Sequence, residues 1–465
     1  MRQDNGKEQA TDHTRALAEA MCGLSLAALS DDDVTQIKRL VLDHLGVALR
    51  GASLPWSLSL QDYARHYDGT GACVVIGTPM RTTAPVAALV NGTAAHGLEM
   101  DDTHDESLSH PGCVVIATAL AVGTAQNRSG AEVLAAIAAG YEVMARSGMA
   151  TGASETVHKG FHSTALYGCF GATTAAGLLL GQDAQTLCRS WGLVLSMAGG
   201  SKQFAHDPQG TTVKRLHGGI PAHSGTLAAE FASRGIDGPD GALDGTYGLG
   251  NLFGDKPDPA KLVRAAAEPL QIHRISFKPY PCCRLFHSTI DALGEVTDGF
   301  ATSPNEIQAI RVGAPEVMLT QHMMRRPDSV MAAQYALPFA LATSLLADRH
   351  AFESYTDAYW RDPAILDLSD RVDAEQDLEI ERHFPSHFGS WVEITLKNGE
   401  KRRSTVLDSY GTPDRPMPRD AIERKFRTLA AVDHPGFGCD AVFRAVDGLP
   451  EAPDTTALMA HFAQP

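Results

Sequence analysis

The chain has 465 residues, 44% of them hydrophobic and 20% charged, enough to bury a large core in two or three domains without disulfide or metal staples. Its 55 acidic residues outnumber 39 basic ones, and the formal charge of −16 argues against a nucleic acid or an anionic membrane as the main partner, because either needs a basic face. A small anionic ligand fits only where basic residues gather locally against that field.

The first stretch, Met1 to Arg15, is polar and lacks the apolar run of a secretory signal. Ser30-Asp31-Asp32-Asp33 sets capping and acidic residues before Val34, Ile37, Leu40, Val41, Leu45 and Ala48, an apolar stripe at helical spacing. Pro111 suits the first turn of a helix through Val114 to Ala125, and the apolar run Cys113 to Ala125 is too short to span a bilayer. Ser129-Gly130-Ala131-Glu132 matches a capping box ahead of Val133 to Met144. Further helices are expected over Thr164 to Leu180, Asp183 to Met197 and Ile220 to Ser233. Several are rich in Ala and Gly, which lets helix axes approach closely inside a large bundle.

After Pro269 the pattern changes. Ile307 to Val312 and Val392 to Leu396 alternate as strands, Lys397-Asn398-Gly399-Glu400 supplies an Asn-Gly turn, and Arg402 to Val406 returns. Tyr335 to Ala347 reads as helix, and the tail Arg419 to Phe462 returns to helical spacing. The expected architecture is mainly α with an α+β domain: a large helical domain over 1–272, a smaller α+β unit over 273–405, and a return to the helical domain over 406–465. Eight scattered cysteines, with only Cys282 and Cys283 close together and no CxxC, point to a reduced, cytoplasmic protein.

There is no GxSxG elbow and no Walker-type phosphate loop, and Gly248-Leu249-Gly250 lacks the context of a dinucleotide fingerprint. Four polar clusters stand out instead: His96 to Asp105 with His110-Pro111-Gly112; His158 to His162; Lys202 with Thr211 to Gly219; and Ser276 to His287. The last two mix Lys, Arg and His at helix boundaries, a combination suited to a carboxylate-bearing ligand, while histidines move protons near neutral pH. Asp101-Asp102-Thr103-His104-Asp105 fits the DDxxD of all-α terpene synthases, but the second metal motif of that chemistry is missing. Asp102, His104 and His110 are conceivable metal ligands, yet basic residues dominate the remaining clusters and a metal has no need of them. A metal-free acid–base site ranks first.

In succession these segments resemble the MmgE/PrpD family, whose members include 2-methylcitrate dehydratase, cis-aconitate decarboxylase and iminodisuccinate epimerase. The resemblance rests on Asn91-Gly92 through His96, Asp101-Asp102-Thr103, His110-Pro111, Gly160-Phe161-His162, Val213 to His217 and Lys278 to His287. It implies a helical domain with an inserted α+β lid, a homodimer, no required cofactor and a small polycarboxylate substrate. Site positions carry over at Asp102, Thr103, His110, His162, Lys214, His217 and Lys278. Two positions depart from the pattern: Glu99 stands where many members have aspartate, and Phe339 is read where several carry a tyrosine near Tyr335.

The implied activity is that of a cofactor-independent lyase, with dehydration of a hydroxylated di- or tricarboxylate placed first. Epimerisation next to a carboxylate and decarboxylation are the alternatives, and a non-catalytic carboxylate-binding homologue is the contrasting class. In this reading Lys214, Lys278 and Arg284 bind carboxylates, His110 and His162 serve as base and acid, and Asp102 orients a histidine. Thr103, His217, His287 and Glu99 complete the substrate contacts. His96 is expected to be a satisfied core histidine, His104 and Asp105 solvated loop residues, and Cys282 and Cys283 packing.

Overall fold

The computed structural model describes residues 12–207, 211–300 and 302–463; residues 1–11, on which most of the signal-peptide expectation falls, lie outside it. The protein is mainly α-helical with an α+β part. The helices begin where their caps are written. Ser30 and Asp33 form a reciprocal capping box at the start of Asp31–Gly51, as Ser129 and Glu132 do for Gly130–Thr151. Asp183 caps Ala184–Leu195, and Pro111 opens Pro111–Ala125.

Pro111–Ala125 and Ser163–Leu179 are buried on nearly every side and form the centre of the bundle. The core around them draws on residues from Leu17 to Phe277 and again from Met417 to Phe462. The closing segment therefore packs on the first helices: Phe426 sits so close to Gly46 that a Cβ there would lie 2.8 Å from its ring.

A second core gathers residues from Tyr280 to Val406. It is built on a four-stranded sheet in the order Val372–Gln376, Ile307–Ala314, Ser390–Leu396, Lys401–Val406. The last two strands form the hairpin expected from Asn398-Gly399, with Gly399 at φ +87° supplying the left-handed turn. Val372–Gln376 pairs parallel to Ile307–Ala314 at the sheet edge. Its sequence is polar and largely exposed, so it carries none of the alternation that marked the other strands. Among the described residues, no helix is long and apolar enough to cross a membrane.

One helix departs from expectation in a way that shapes the site. A helix is expected over Ile220 to Ser233, but it runs from Val213 to Ser233 with Pro221 inside it. The preceding two turns are stabilised by close packing on the helix Ala84–His96. A Cβ on Gly218 would lie 2.6 Å from the Gly92 carbonyl and 2.7 Å from the His96 Cβ, and one on Gly219 would collide with the Leu89 carbonyl. Glycine at both positions lets the backbones touch, which sets Lys214, Arg215 and His217 against the end of the neighbouring helix. Gly218→Ala is expected to lower stability by about 1–3 kcal/mol through overpacking, and to pull this helix away from Glu99. Denaturant melts measure the first effect, and loss of carboxylate binding in the still-folded fraction measures the second.

Candidate active site

The site is built where four segments end. The helix Ala84–His96 stops at His96, and the chain then turns at Glu99, which has φ +60°, a left-handed conformation uncommon outside glycine. That turn sends the Glu99 carboxylate inward, where Oε1 accepts from Lys214 Nζ and from Arg215 Nη1 (2.9 Å) and Oε2 accepts from Lys278 Nζ (3.3 Å). All four side chains are buried. Lys278 reaches this point because Thr103–His104 pairs antiparallel with Ile275–Ser276, drawing the entry to the second core alongside the Asp101–Asp105 segment. Gln334 adds a further tie, donating to the Leu98 and Pro281 carbonyls while accepting from Arg215.

His110 and His162 occupy the N-caps of Pro111–Ala125 and Ser163–Leu179. The His162 amide donates to the Gly200 carbonyl at 2.8 Å, and the His110 amide donates to Thr164 Oγ1 at 3.1 Å. The two rings are 6.4 Å apart and face one cavity of about 150 Å³ between the helical core and the second core. His96 lies 4.9 Å from His110, and His217 lies 4.9 Å from His162.

Burial sets the protonation states. It lowers the pKa of His110, helped by Lys278 and Lys214 and opposed by Asp101, and it drives His162 well below the usual range with His217 and Lys214 adding to the effect. A helix N-terminus also disfavours a cation. Both imidazoles are therefore neutral at neutral pH. His96 is lowered to about 3 by burial and Lys214, and His217 to about 4 by the same two causes. Burial opposes ionisation of Glu99, but Lys214, Lys278 and Arg215 outweigh it and keep the carboxylate charged. Lys278 is held above its ordinary value because Glu99 and Asp101 more than offset desolvation, whereas desolvation lowers Lys214.

The cavity collects His110, His162, Lys278, Glu99, Thr103 and Arg284 from the residues expected at the site. Lys214 and His217 stand immediately behind, the first on Glu99 and the second against the His162 ring. Asp102 does not orient a histidine. Its Oδ1 accepts from the Gly112 amide at 2.8 Å and its Oδ2 from the Tyr141 hydroxyl at 2.6 Å, so it caps the helix that His110 begins. Burial, with Asp43 and Asp101 nearby, raises it to about 7. Asp101 takes the orienting place: its Oδ2 lies 2.7 Å from His96 Nδ1 and 3.3 Å from His110 Nδ1, the second contact short of hydrogen-bond alignment. His96 is consequently only half satisfied, its Nε2 having no hydrogen-bond partner among the described residues. His287 is buried against Tyr280 and is not part of the cavity wall.

Other positions also differ from the sequence reading. His104 is buried between Ser107 and Gln271 rather than solvated. Asp105 is half-buried, accepting from Thr103 Oγ1, Ser276 Oγ and Arg284 Nη2, because the chain entering the second core folds over it. Phe339 packs on Tyr355 in the second core, and Tyr335 lines the cavity with its ring 5.4 Å from Lys214 Nζ, so the hydroxyl thought missing is present nearby. Cys283 reaches the wall, but burial keeps its thiol protonated. Sequence reasoning missed Asp101, Tyr335 and Lys202 as wall or orienting groups, although Asp101 and Lys202 stood within clusters it marked and Tyr335 was named beside the Phe339 departure.

His96, Asp101 and Cys113 could each offer one atom to a metal ion. The donor set suits a cation poorly: Lys278 Nζ is 3.9 Å from Asp101, and burial with Asp101 and Asp102 holds the Cys113 thiol protonated.

The buried histidines make stability depend on pH. His44 and His322 are lowered to about 4 by burial, joining His96 and His217. Their folded values lie below those of the unfolded chain, so stability is complete above pH 6.5 and is lost as pH falls toward about 4. The slope is about 1.4 kcal/mol per unit for each fully linked group, and Asp102 acts in the opposite sense between about pH 4 and 7. Melting temperatures are expected to drop between pH 6.5 and 5, and His44→Leu, at a residue that does not line the cavity, to flatten that drop. A flat profile for the parent protein would contradict the assignment of neutral histidines.

Comparison with known proteins matches this architecture along its length. The MmgE/PrpD N-terminal domain aligns with residues 15–262 and the MmgE/PrpD C-terminal domain with residues 280–435. The chain is 26% identical to a cis-aconitate decarboxylase of Aspergillus terreus, covering 86% of each protein. It is 26% identical to cis-aconitate decarboxylases of Mus musculus, over 90% of this chain and 86% of the relative, and of Homo sapiens, over 96% and 93%. The chain belongs to the MmgE/PrpD family.

Proposed function

We propose that the protein is a lyase acting on a small polycarboxylate by moving protons between His110, His162 and a carbon adjacent to a carboxylate. The observation that carries this reading is the pairing of two neutral imidazoles with a cationic floor in one cavity. Around that floor Lys214, Arg215 and Lys278 face Glu99 and Asp101, three cations against two carboxylates. The excess positive charge is preorganised for a substrate carboxylate and for the charge that builds on it. A bound anion also raises both histidines toward their ordinary values and readies one as a proton donor.

Within this class, decarboxylation of an unsaturated di- or tricarboxylate is placed first, because the relatives aligned over most of the chain carry that activity. The carbon–carbon bond to one carboxylate breaks and carbon dioxide leaves. Its electron pair spreads through the double bond onto a remaining carboxylate, and an imidazolium formed on substrate binding delivers a proton to the far carbon. The apolar parts of the wall, Phe204, Leu285 and Phe388 among them, keep water from the departing carboxylate. Dehydration is the second reading. It is favoured by two histidines on the same cavity, one to take the α-proton and one to protonate the leaving hydroxyl.

Proton NMR in deuterated buffer with cis-aconitate and 2-methylcitrate, each alone, separates the cases. Carbon dioxide release with one deuterium in the product is expected for the first, and a new alkene from the hydroxy acid for the second. Binding without turnover of any polycarboxylate would leave a non-catalytic binding protein. His110→Ala and His162→Ala are each expected to lower kcat by about 10²–10⁴-fold in folded protein. Asp101→Asn is expected to lower kcat and to shift the pH profile, because the carboxylate that raises His110 is removed, and to change KM as well, because one of the two carboxylates offsetting the floor's cations is lost.

A further inference from the structure

The charges of the cavity wall leave one cation over. Lys278 is matched by Glu99 and Asp101, and Arg284 by Asp105 at 2.8 Å. Lys202, half-buried on the same wall, has no carboxylate within ion-pair distance among the described residues; its Nζ donates only to the Gln321 amide oxygen, at 3.3 Å. Desolvation lowers its pKa, so a carboxylate brought to it would gain a partner and relieve that cost.

The position of Lys202 is fixed by backbone. Its amide donates to the Gly160 carbonyl at 2.8 Å, Ser201 bridges Phe161, and the His162 amide donates to the Gly200 carbonyl at 2.8 Å. Lys202 and His162 thus belong to one hydrogen-bonded unit. Gln321 ends the helix Glu316–Gln321 of the second core, so the Lys202–Gln321 contact crosses the cavity from one core to the other. Glu99, Lys278 and the orienting Asp101 lie around His110, whereas Lys202 belongs to the His162 side.

We propose that Lys202 is a specificity-determining residue that takes the substrate carboxylate remote from the reacting carbon, replacing Gln321 as its partner and restricting the enzyme to substrates with at least two carboxylates. This rests on the proposed polycarboxylate chemistry of the same cavity and names what selects its substrate. The two cationic centres divide the work: the Glu99-centred floor holds the carboxylate that conjugates with the reacting carbon, and Lys202 holds the other.

The test is calorimetric binding of tricarballylate, a saturated tricarboxylate that cannot react, and of butyrate, with the full chain. Lys202→Met is expected to weaken tricarballylate about 10- to 100-fold, the range of a charge-assisted hydrogen bond, while leaving butyrate unchanged. Lys202→Arg is expected to restore most of the loss, and any turned-over substrate to show a raised KM with a smaller change in kcat. Thermal melts of each variant identify a folding defect, and Lys202→Gln gives a second, smaller truncation of charge. Unchanged tricarballylate affinity in Lys202→Met, or equal loss of both probes, overturns the assignment while the lyase reading stands. Failure of the parent protein to bind tricarballylate removes the lyase reading and this assignment together.

Discussion

A single buried carboxylate holds this molecule's working parts in register. Glu99 accepts from Lys214 and Arg215 on one helix and from Lys278 at the entry to the second core, and none of these cations is exposed to water. Taking such ions out of water costs several kcal/mol each, and the cost is returned only while every partner stays in place. The Glu99 cluster is therefore weak as a stabiliser and strong as a constraint. Together with Gln334 and the Arg284–Asp105 pair it joins the two cores beside the cavity, at the point where, on the proposed reading, substrate charge would arrive. The left-handed backbone at Glu99 is the local expense of aiming one side chain at three donors.

The same burial that costs stability tunes the histidines. His110 and His162 sit at the N-termini of helices that are themselves buried all round, so desolvation and the helix dipole act together against the imidazolium. Asp101 works the other way for His110, and its second partner, His96, shares the same oxygen. The two histidines are consequently not equivalent: one has a carboxylate behind it, and the other has His217 and Phe204. On the proposed reading, that asymmetry would let an entering anion raise them unequally, as a reaction needing one proton donor at a defined carbon requires.

Much of the fold could be read from the chain because its signals are local. Capping boxes, Pro111 and the Asn-Gly hairpin are each satisfied within a few residues, and they mark where helices and strands begin. The features that could not be read depend on distant partners. Pro221 lies inside a helix because Gly218 and Gly219 gain a close approach to Ala84–His96, a gain invisible to a rule about proline. Val372–Gln376 is a strand because Ile307–Ala314 offers it an edge. In the site, adjacent Asp101 and Asp102 differ only in which way the backbone turns them, one toward the histidines and the other toward Tyr141 and the Gly112 amide. Tyr335 and Phe339 are one helical turn apart in sequence, but only the tertiary fold decides which faces the cavity and which faces Tyr355.

On the proposed reading, the placement of charge explains how a chain of −16 would serve an anionic ligand. Its surplus acids are spread over the surface, where water and salt screen them within about 10 Å. The cations that matter are buried, where the effective dielectric is lower and each interaction counts for more. Because nearly all of them are already matched to Glu99, Asp101 or Asp105, the cavity carries only a small positive excess. A larger excess would hold the substrate's carboxylates as tightly before reaction as during it, and uniform binding of that kind does not lower the barrier. A floor mostly neutralised by its own carboxylates, with its donors fixed in place, would on the proposed reading respond instead to the charge that appears only as the bond breaks.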